Sequence, residues 1–331
     1  MSFILGVDTG GTYTDAVILE NEERIIAFSK ALTTHSDLSL GIGAAIQKAV
    51  IQKNIDPEKI SLVSLSTTLA TNALVEGQGD RVALVMSGFK ESDLEKHAII
   101  DALKGDPFLV TKGGHNYAGY QNSPLDKDKL AKWASKVEGV SAYAVCSQFA
   151  VRNPEHELQA AEIIRELTGR PVSLSYQLSA KLNGPKRALT AILNARLIGL
   201  IDLLIIKAED VIKNLGIMAP MMVVRGDGAL ISAEQAREKP IETILSGPAA
   251  SLVGARWLTD ESDAIVSDIG GTTTDIAVLR GGKPAIDPKG ASVGPYRTMV
   301  EAVAMYTFGL GGDSEVNLKQ GGLDGDILLG P

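Results

Sequence analysis

Ile4-Leu5-Gly6-Val7-Asp8-Thr9-Gly10-Gly11-Thr12-Tyr13-Thr14-Asp15 is the stretch around which the chain is organised. An apolar run ends in a carboxylate, two glycines flanked by hydroxyls follow, and a second apolar run over residues 16–19 leads away. Apolar runs bounded by glycines predict strand, tight turn, strand. Glycines let backbone N–H groups approach a ligand, and successive amides in such a turn form an anion-binding concavity. Thr9, Thr12 and Thr14 add hydroxyl donors, and Asp8 at the strand end suits a hydrated Mg²⁺. The pattern predicts a site for a metal-bound phosphate. A single Gly-Gly turn also arises for steric reasons alone, with the aspartate bonding only its own turn amides.

The chain repeats the pattern. Val266-Ser267-Asp268-Ile269-Gly270-Gly271-Thr272-Thr273-Thr274-Asp275-Ile276-Ala277 carries the Asp, Gly-Gly, Thr, Thr and Asp at matching offsets, again between apolar runs. Two copies predict two similar lobes facing one nucleotide. Asp8 and Asp268 are then the expected Mg²⁺–water ligands and positioners of the attacking group, with Thr12 and Thr272 at the phosphate oxygens. Gly10, Gly11, Gly270, Gly271, Thr9, Thr14 and Thr273 complete the expected phosphate cradle. Asp15 and Asp275, at the start of each outgoing strand, are expected behind it.

The paired hairpins resemble the phosphate motifs of the actin, sugar-kinase and heat-shock-chaperone ATPase superfamily. Further stretches are similar to the ATP-dependent A-type subunit of the hydantoinase/5-oxoprolinase family. These are Ser64-Leu65-Ser66-Thr67-Thr68-Leu69-Ala70-Thr71-Asn72-Ala73-Leu74, Val224-Arg225-Gly226-Asp227-Gly228-Ala229-Leu230, Ile244-Leu245-Ser246-Gly247-Pro248-Ala249-Ala250 and Gly309-Leu310-Gly311-Gly312-Asp313-Ser314. The resemblance implies an α/β fold of two ribonuclease-H-like lobes with mixed sheets, an actin-like ATPase fold with nucleotide in the cleft. Residues 1–185 would form the first lobe, with an accessory α/β segment at about 90–180. Residues 186–331 would form the second, shortened at its C-terminus. It also implies ATP and Mg²⁺ as cofactors, a cyclic amide of the hydantoin or 5-oxoproline type as substrate, and a B-type partner subunit. The activity would be ring-opening hydrolysis through phosphorylation of the amide oxygen. A small-molecule kinase, an ATP-dependent carboxylase subunit and a nucleotide-switched module without catalysis are the alternatives.

By the same resemblance Gly226 and Gly228 would lie against adenosine, and Gly311 and Gly312 against phosphate, with Asp313 and Ser314 at a phosphate or substrate edge. Thr67, Thr68 and Asn72 follow an expected strand; they read equally as a polar cluster facing the cleft or as a helix cap. Arg187, Thr190 and Asn194 share a helix face by spacing, lining a substrate pocket or forming an ordinary solvated face.

The 331 residues are 45% hydrophobic and 22% charged, enough for two or three domains with a substantial core. A net charge of −8 with pI about 5.2 gives no basic footprint for nucleic acid or anionic membrane. Cys146 is the sole cysteine, so no disulfide framework exists within one chain, and it reads as a buried core thiol. No basic leader precedes the first strand, and the apolar segment at residues 197–206 is broken by Asp202. These features point to a cytoplasmic chain without a membrane span; self-association stays open. Gly282-Lys283 lacks the upstream glycine of a P-loop, no Gly-x-Gly-x-x-Gly follows the first strand, and His35, His97, His115 and His156 form no close pair in sequence. The last point excludes the zinc type of hydantoinase.

Along the chain, strands are expected at residues 25–28, 62–65, 82–86, 142–145, 171–174, 221–224 and 264–267. Helices are expected at 38–50, 154–167, 189–204 and 247–257. Residues 105–125 read as a long surface excursion.

Overall fold

The computed structural model describes residues 2–271, 273–318 and 327–330. The opening stretch forms β1 (Phe3–Thr9) and β2 (Tyr13–Glu20), followed by β3 (Arg24–Leu32), α1 (Leu38–Gln52), β4 (Ile60–Thr67) and α2 (Leu69–Val75). β1 and β2 pair antiparallel with Asp8 opposite Asp15 and Thr9 opposite Thr14. β4 runs parallel to β1 on its other side. Asp37 starts α1, its Oδ1 accepting the Ser39 amide at 3.2 Å. Gly41 of that helix lies where a Cβ would sit 3.0 Å from Thr14 Oγ1, so α1 covers the Thr14 face of the sheet closely.

The chain then builds a second sheet from β5 (Val82–Ser87), α3 (Ile99–Leu103), β6 (Phe108–Thr111), α4 (Lys127–Ala134), β7 (Ala142–Ser147), α5 (Glu155–Thr168), β8 (Val172–Leu174) and α6 (Ser175–Leu178). Its strands are all parallel, in the order β6-β5-β7-β8. Near-continuous apolar strands such as β5 and β7 are what a parallel sheet covered on both faces requires. β5 therefore belongs to this sheet and not to the first. The expected surface excursion is also more structured than its composition implies. Residues 108–111 are a strand, and His115 and Leu125 are buried.

Helix α7 (Gly184–Asn214) runs 31 residues, longer than the expected 189–204. Its length and an 18-residue window of mean hydropathy 2.0 would suffice to cross a membrane, contrary to the sequence reading. Two-thirds of that window is buried within the protein, as in a core helix. One face meets α1 and the other meets β5 and β7, so a single core joins both sheets. Tyr143, Val145 and Val85, on the far face of the parallel sheet, pack in a separate core with residues of α4 and α5.

β9 (Met221–Val224), β10 (Leu230–Ser232) and α8 (Ala233–Glu238) follow. β9 pairs parallel with β4, giving a six-stranded sheet β10-β9-β4-β1-β2-β3. Residues assigned beyond position 185 to the second lobe thus complete the first sheet. Helix α9 (Ser246–Thr259) then leads to β11 (Ala264–Ile269), β12 (Thr274–Arg280), β13 (Lys283–Pro284), β14 (Ser292–Val293), β15 (Tyr296–Arg297), β16 (Met305–Phe308), β17 (Glu315–Leu318) and β18 (Ile327–Gly330). β12 pairs with β11, β13 and β16, and Ala249 and Leu252 of α9 pack on Ala277 and Leu279 of this sheet.

Candidate functional site

The two hairpins share one geometry. Asp268 lies opposite Asp275 as Asp8 lies opposite Asp15. The Gly10 amide donates to the Tyr13 carbonyl at 3.0 Å, and the Gly270 amide to the Thr273 carbonyl at 2.9 Å. Thr272 lies outside the described residues. None of the four turn glycines has positive φ, and a Cβ on Gly11 would meet nothing within 4 Å. Neither backbone conformation nor packing demands glycine at position 11; close approach of a ligand is the remaining physical reason. The amides of Gly11 and Thr12 donate to no protein acceptor among the described residues, and Gly11 and Thr12 are exposed. They form the open concavity that suits an anion.

The carboxylates converge. Protein crowds Asp8 from most sides although the residue still meets solvent, and this burial raises its carboxyl above the usual aspartate range. The charges of Asp15 and Asp268 raise it further, while the Ser66 hydroxyl and Lys30 oppose the rise. Asp268, 260 residues away in sequence, is therefore near enough to act on Asp8. Ser66 stands beside Asp8 in register, but its buried Oγ completes no hydrogen bond of ordinary geometry. Asp15 is tied to Lys30 Nζ at 2.9 Å. Asp275 accepts the Thr307 hydroxyl at 2.6 Å, and burial raises its carboxyl, as does the Asp268 charge.

Helix α9 connects the two halves. Ser246 Oγ donates to the Thr67 carbonyl at 2.9 Å, and the Leu245 amide donates to Thr71 Oγ1 at 3.0 Å. Further along the helix, Ser251 Oγ donates to Asp268 Oδ2 at 2.8 Å. Ser66, Ser246 and Ser251 were not singled out as site residues from sequence. Hydroxyls next to the quoted Gly-Pro and Thr-Thr segments were the available signal, and it is a weak one.

The Thr68 amide donates to the Thr9 carbonyl at 3.2 Å, placing Thr67, Thr68 and Asn72 beside the first turn. Thr67 Oγ1 accepts the Leu69 amide at 3.1 Å like a cap, and Asn72 Nδ2 donates to Thr68 Oγ1 at 3.3 Å.

Other expected residues sit elsewhere. Thr9 and Thr14 face one another across the hairpin on the side opposite Asp8, because side chains alternate along a strand. Both are buried, and Thr14 Oγ1 is 3.0 Å from Thr33 Oγ1, so these hydroxyls do not line the outer cradle. Thr9 Oγ1 is buried without a partner among the described residues. A Cβ on Gly226 would strike the Ile244 carbonyl and Ala302, so chain packing explains this glycine. Gly228 has φ +87° in the turn between β9 and β10, and Arg225 pairs with Asp227 across that turn. The Gly312 and Asp313 amides donate to the carbonyls of Gly270 and Gly271 at 2.9 and 2.8 Å, and the Gly311 amide to Ser314 Oγ. That loop buttresses the second turn with amides already spent, and Asp313 stands against Gly271.

The helix-face trio is no solvated surface: all three side chains are buried, Arg187 at the base of one crevice and Asn194 beside another. Asn194 is fully buried, its amide donating to Ser173 Oγ and the Glu238 carbonyl and accepting from Ile241. Thr190 bonds Lys186 and Met299, and Arg187 is likewise enclosed. Cys146 is buried, its thiol pushed up to about 12 by burial. No group of three or more His, Cys, Asp or Glu suited to a metal occurs among the described residues. The donors that do converge, Asp8 and Asp268, are hard oxygens, which fits Mg²⁺ held largely through its waters.

The chain matches the N-terminal region of the hydantoinase/oxoprolinase proteins over residues 4–168 and the hydantoinase/oxoprolinase region over residues 187–324. It belongs to the hydantoinase/oxoprolinase family. It is 27% identical to the caprolactamase subunit alpha of Pseudomonas jessenii, covering 99% of this chain and 50% of that protein. It is 25% identical to the acetophenone carboxylase gamma subunit of Aromatoleum aromaticum, covering 83% and 42%. The crystal structure of the ATP-dependent caprolactamase of Pseudomonas jessenii superposes with a TM-score of 0.81 at 25% identity, over 96% of this chain and 49% of that one. The mixed α/β architecture with several sheets is thus shared with that enzyme. The chain spans about half the length of these relatives, or less.

Proposed function

We propose that this family member binds ATP and Mg²⁺ between its two Asp-Gly-Gly hairpins, in an actin-like two-lobed cleft, and opens a cyclic amide. The observation that carries the reading is the approach of Asp8 and Asp268 on hairpins of matching register. A cyclic amide is a poor electrophile; moving the γ-phosphoryl group to its carbonyl oxygen, with ADP leaving, turns that oxygen into part of a leaving group. Water then adds at carbon and the C–N bond opens, leaving a free amine and an acyl phosphate; a second water cleaves the acyl phosphate to carboxylate and inorganic phosphate. Mg²⁺ would neutralise charge on the phosphates. The residues of the chain position the reactants. The free Gly11 and Thr12 amides, with Thr12's hydroxyl, hold phosphate oxygens. Asp8 and Asp268 orient metal-bound water, and Thr68 and Asn72 stand at the substrate side.

Ring-opening has the support of the caprolactamase likeness. The relatives named as subunits favour a B-type partner for full activity. A second reading, an ATP-dependent carboxylase subunit, has the acetophenone carboxylase likeness behind it. The deciding experiment measures phosphate release with a panel of lactams and hydantoins, with and without a B-type partner. Release in equal amount to a ring-opened amino acid supports hydrolysis. Strict bicarbonate dependence with a carboxylated product would replace it, and a stable phosphorylated product would indicate a kinase.

A further inference from the structure

The parallel sheet has a feature that the hairpins do not use. In its order β6-β5-β7-β8, the chain leaves β5 toward one edge and leaves β7 toward the other. The carboxyl ends of β5 and β7 are therefore a topological switch point, where open α/β sheets form a crevice that takes ligands. A crevice of about 340 Å³ lies there, walled by Phe89 after β5, Gln148 and Phe149 after β7, and Asn183 and Pro185 at the start of α7. That volume lies within the range of small-molecule sites. Phe149, at φ +54°, and Asn183, at φ +94°, adopt left-handed backbone that their side chains disfavour.

Arg187 forms the floor and is only 1% exposed. Of its five N–H donors, Nε donates to Ser175 Oγ at 3.3 Å, Nη1 to the Lys181 carbonyl at 3.3 Å and Nη2 to the Ser147 carbonyl at 3.1 Å. Each terminal nitrogen keeps one N–H without an acceptor among the described residues. All three acceptors are neutral, and no carboxylate lies within ion-pair distance of Arg187 among those residues; the buried Glu157 carboxyl acts on it from further off, linked through Ser175, whose Oγ donates to Glu157 Oε1 at 2.5 Å. A buried guanidinium is ordinarily paired with an anion. Lys96 adds a second cation at the rim, already matched to Asp93 at 2.7 Å.

The geometry points to a binding site for a small organic carboxylate in this crevice: the carboxylate accepts the spare Arg187 N–H groups, an apolar body lies between Phe89 and Phe149, and the Gln148 and Asn183 carboxamides bond its polar edge. The site is separate from the proposed nucleotide cleft and does not depend on that reading.

The test is titration of the intact chain with benzoate, benzamide and inorganic phosphate, followed by calorimetry and backbone-amide NMR. Benzoate is expected to give saturable shifts centred on Gln148, Phe149 and Gly184, with benzamide and phosphate weaker by about tenfold or more, the scale of one charge-assisted contact. Arg187→Met should abolish binding. Because that variant threatens the core, Leu182→Asp serves as the second: Leu182 is an exposed residue of the rim, so the fold is retained while the new carboxylate repels benzoate. No saturable benzoate binding, equal binding of benzamide or phosphate, shifts centred elsewhere, or full affinity in Leu182→Asp would each overturn the proposal.

Discussion

The Ser246 hydroxyl donates to the Thr67 carbonyl at 2.9 Å, fixing the first residue of α9 to the last residue of β4. Five residues further along the same helix, Ser251 holds Asp268. At about 1.5 Å per residue, the two anchors stand only about 7.5 Å apart along one rigid rod. The end of the strand beside Asp8 and the carboxylate of the second hairpin are thereby set by a single element.

Asp8→Asn and Asp268→Asn should each reduce Mg·ATP-dependent turnover by roughly 10²–10³-fold, the cost of a lost electrostatic group. Neither should unfold the protein. A carboxyl raised on folding weighs against the fold once ionised, so Asp8→Asn is expected to melt no lower than wild type at neutral pH. Turnover assays with melting curves check both parts.

The two turn glycines should respond differently to valine. Gly11→Val places its side chain in open space, so nucleotide affinity falls while melting temperature holds. At Gly271 a Cβ would stand 2.6 Å from Asp313 Oδ2, so Gly271→Val also displaces the loop that buttresses the turn. Calorimetric ATP titration beside thermal melting separates the cases; unchanged affinity in both variants would make the turns merely structural.

Ser251→Ala should lower turnover by about 10- to 100-fold at most, since one hydrogen bond to a charged group contributes about 1.5–3 kcal/mol. The effect should appear in kcat more than in nucleotide affinity, because Asp268 stays present but loses its orientation.

Asn194→Ala should act on stability instead of substrate binding. Three hydrogen bonds to enclosed partners are lost, and a buried unsatisfied group costs about 1–3 kcal/mol. Denaturant unfolding measures the loss; unaltered stability with weakened substrate binding would restore the pocket reading.

Glu157 gives a pH signature. Burial pushes its carboxyl from an ordinary 4.5 up to about 7, with the Ser175 hydroxyl and the Ser147 and Tyr176 amides opposing. The folded state then holds a proton that the unfolded chain releases, so stability falls as pH rises from 4.5 toward about 7, by on the order of 3 kcal/mol. Glu157→Gln should remove that slope while lowering stability overall, since a single amide oxygen cannot serve all three donors. Denaturation from pH 4 to pH 8 is the measurement.

The local elements were legible in the chain alone: alternating and continuous apolar runs marked the strands, Asp37 the start of α1, and the duplicated Asp-Gly-Gly motif both hairpins with their turns. These depend on neighbours in the chain, which periodicity and turn chemistry report directly. Strand partners, by contrast, emerge only when the chain is folded. β5 leaves the first sheet for a parallel one, and β9 returns to β4 across more than 150 residues, because apolar strands of similar composition pair equally well until the whole core is assembled. Side-chain roles divide the same way. Thr9 and Thr14 carry hydroxyls suited to phosphate, yet cross-strand pairing turns them toward α1; Arg187 and Asn194 look polar and outward until two sheets close around α7. Asp8 and Asp268 were recognisable as equivalent from sequence. That the charge of Asp268 reaches Asp8 required the long-range packing in which α9 bonds both the end of β4 and Asp268.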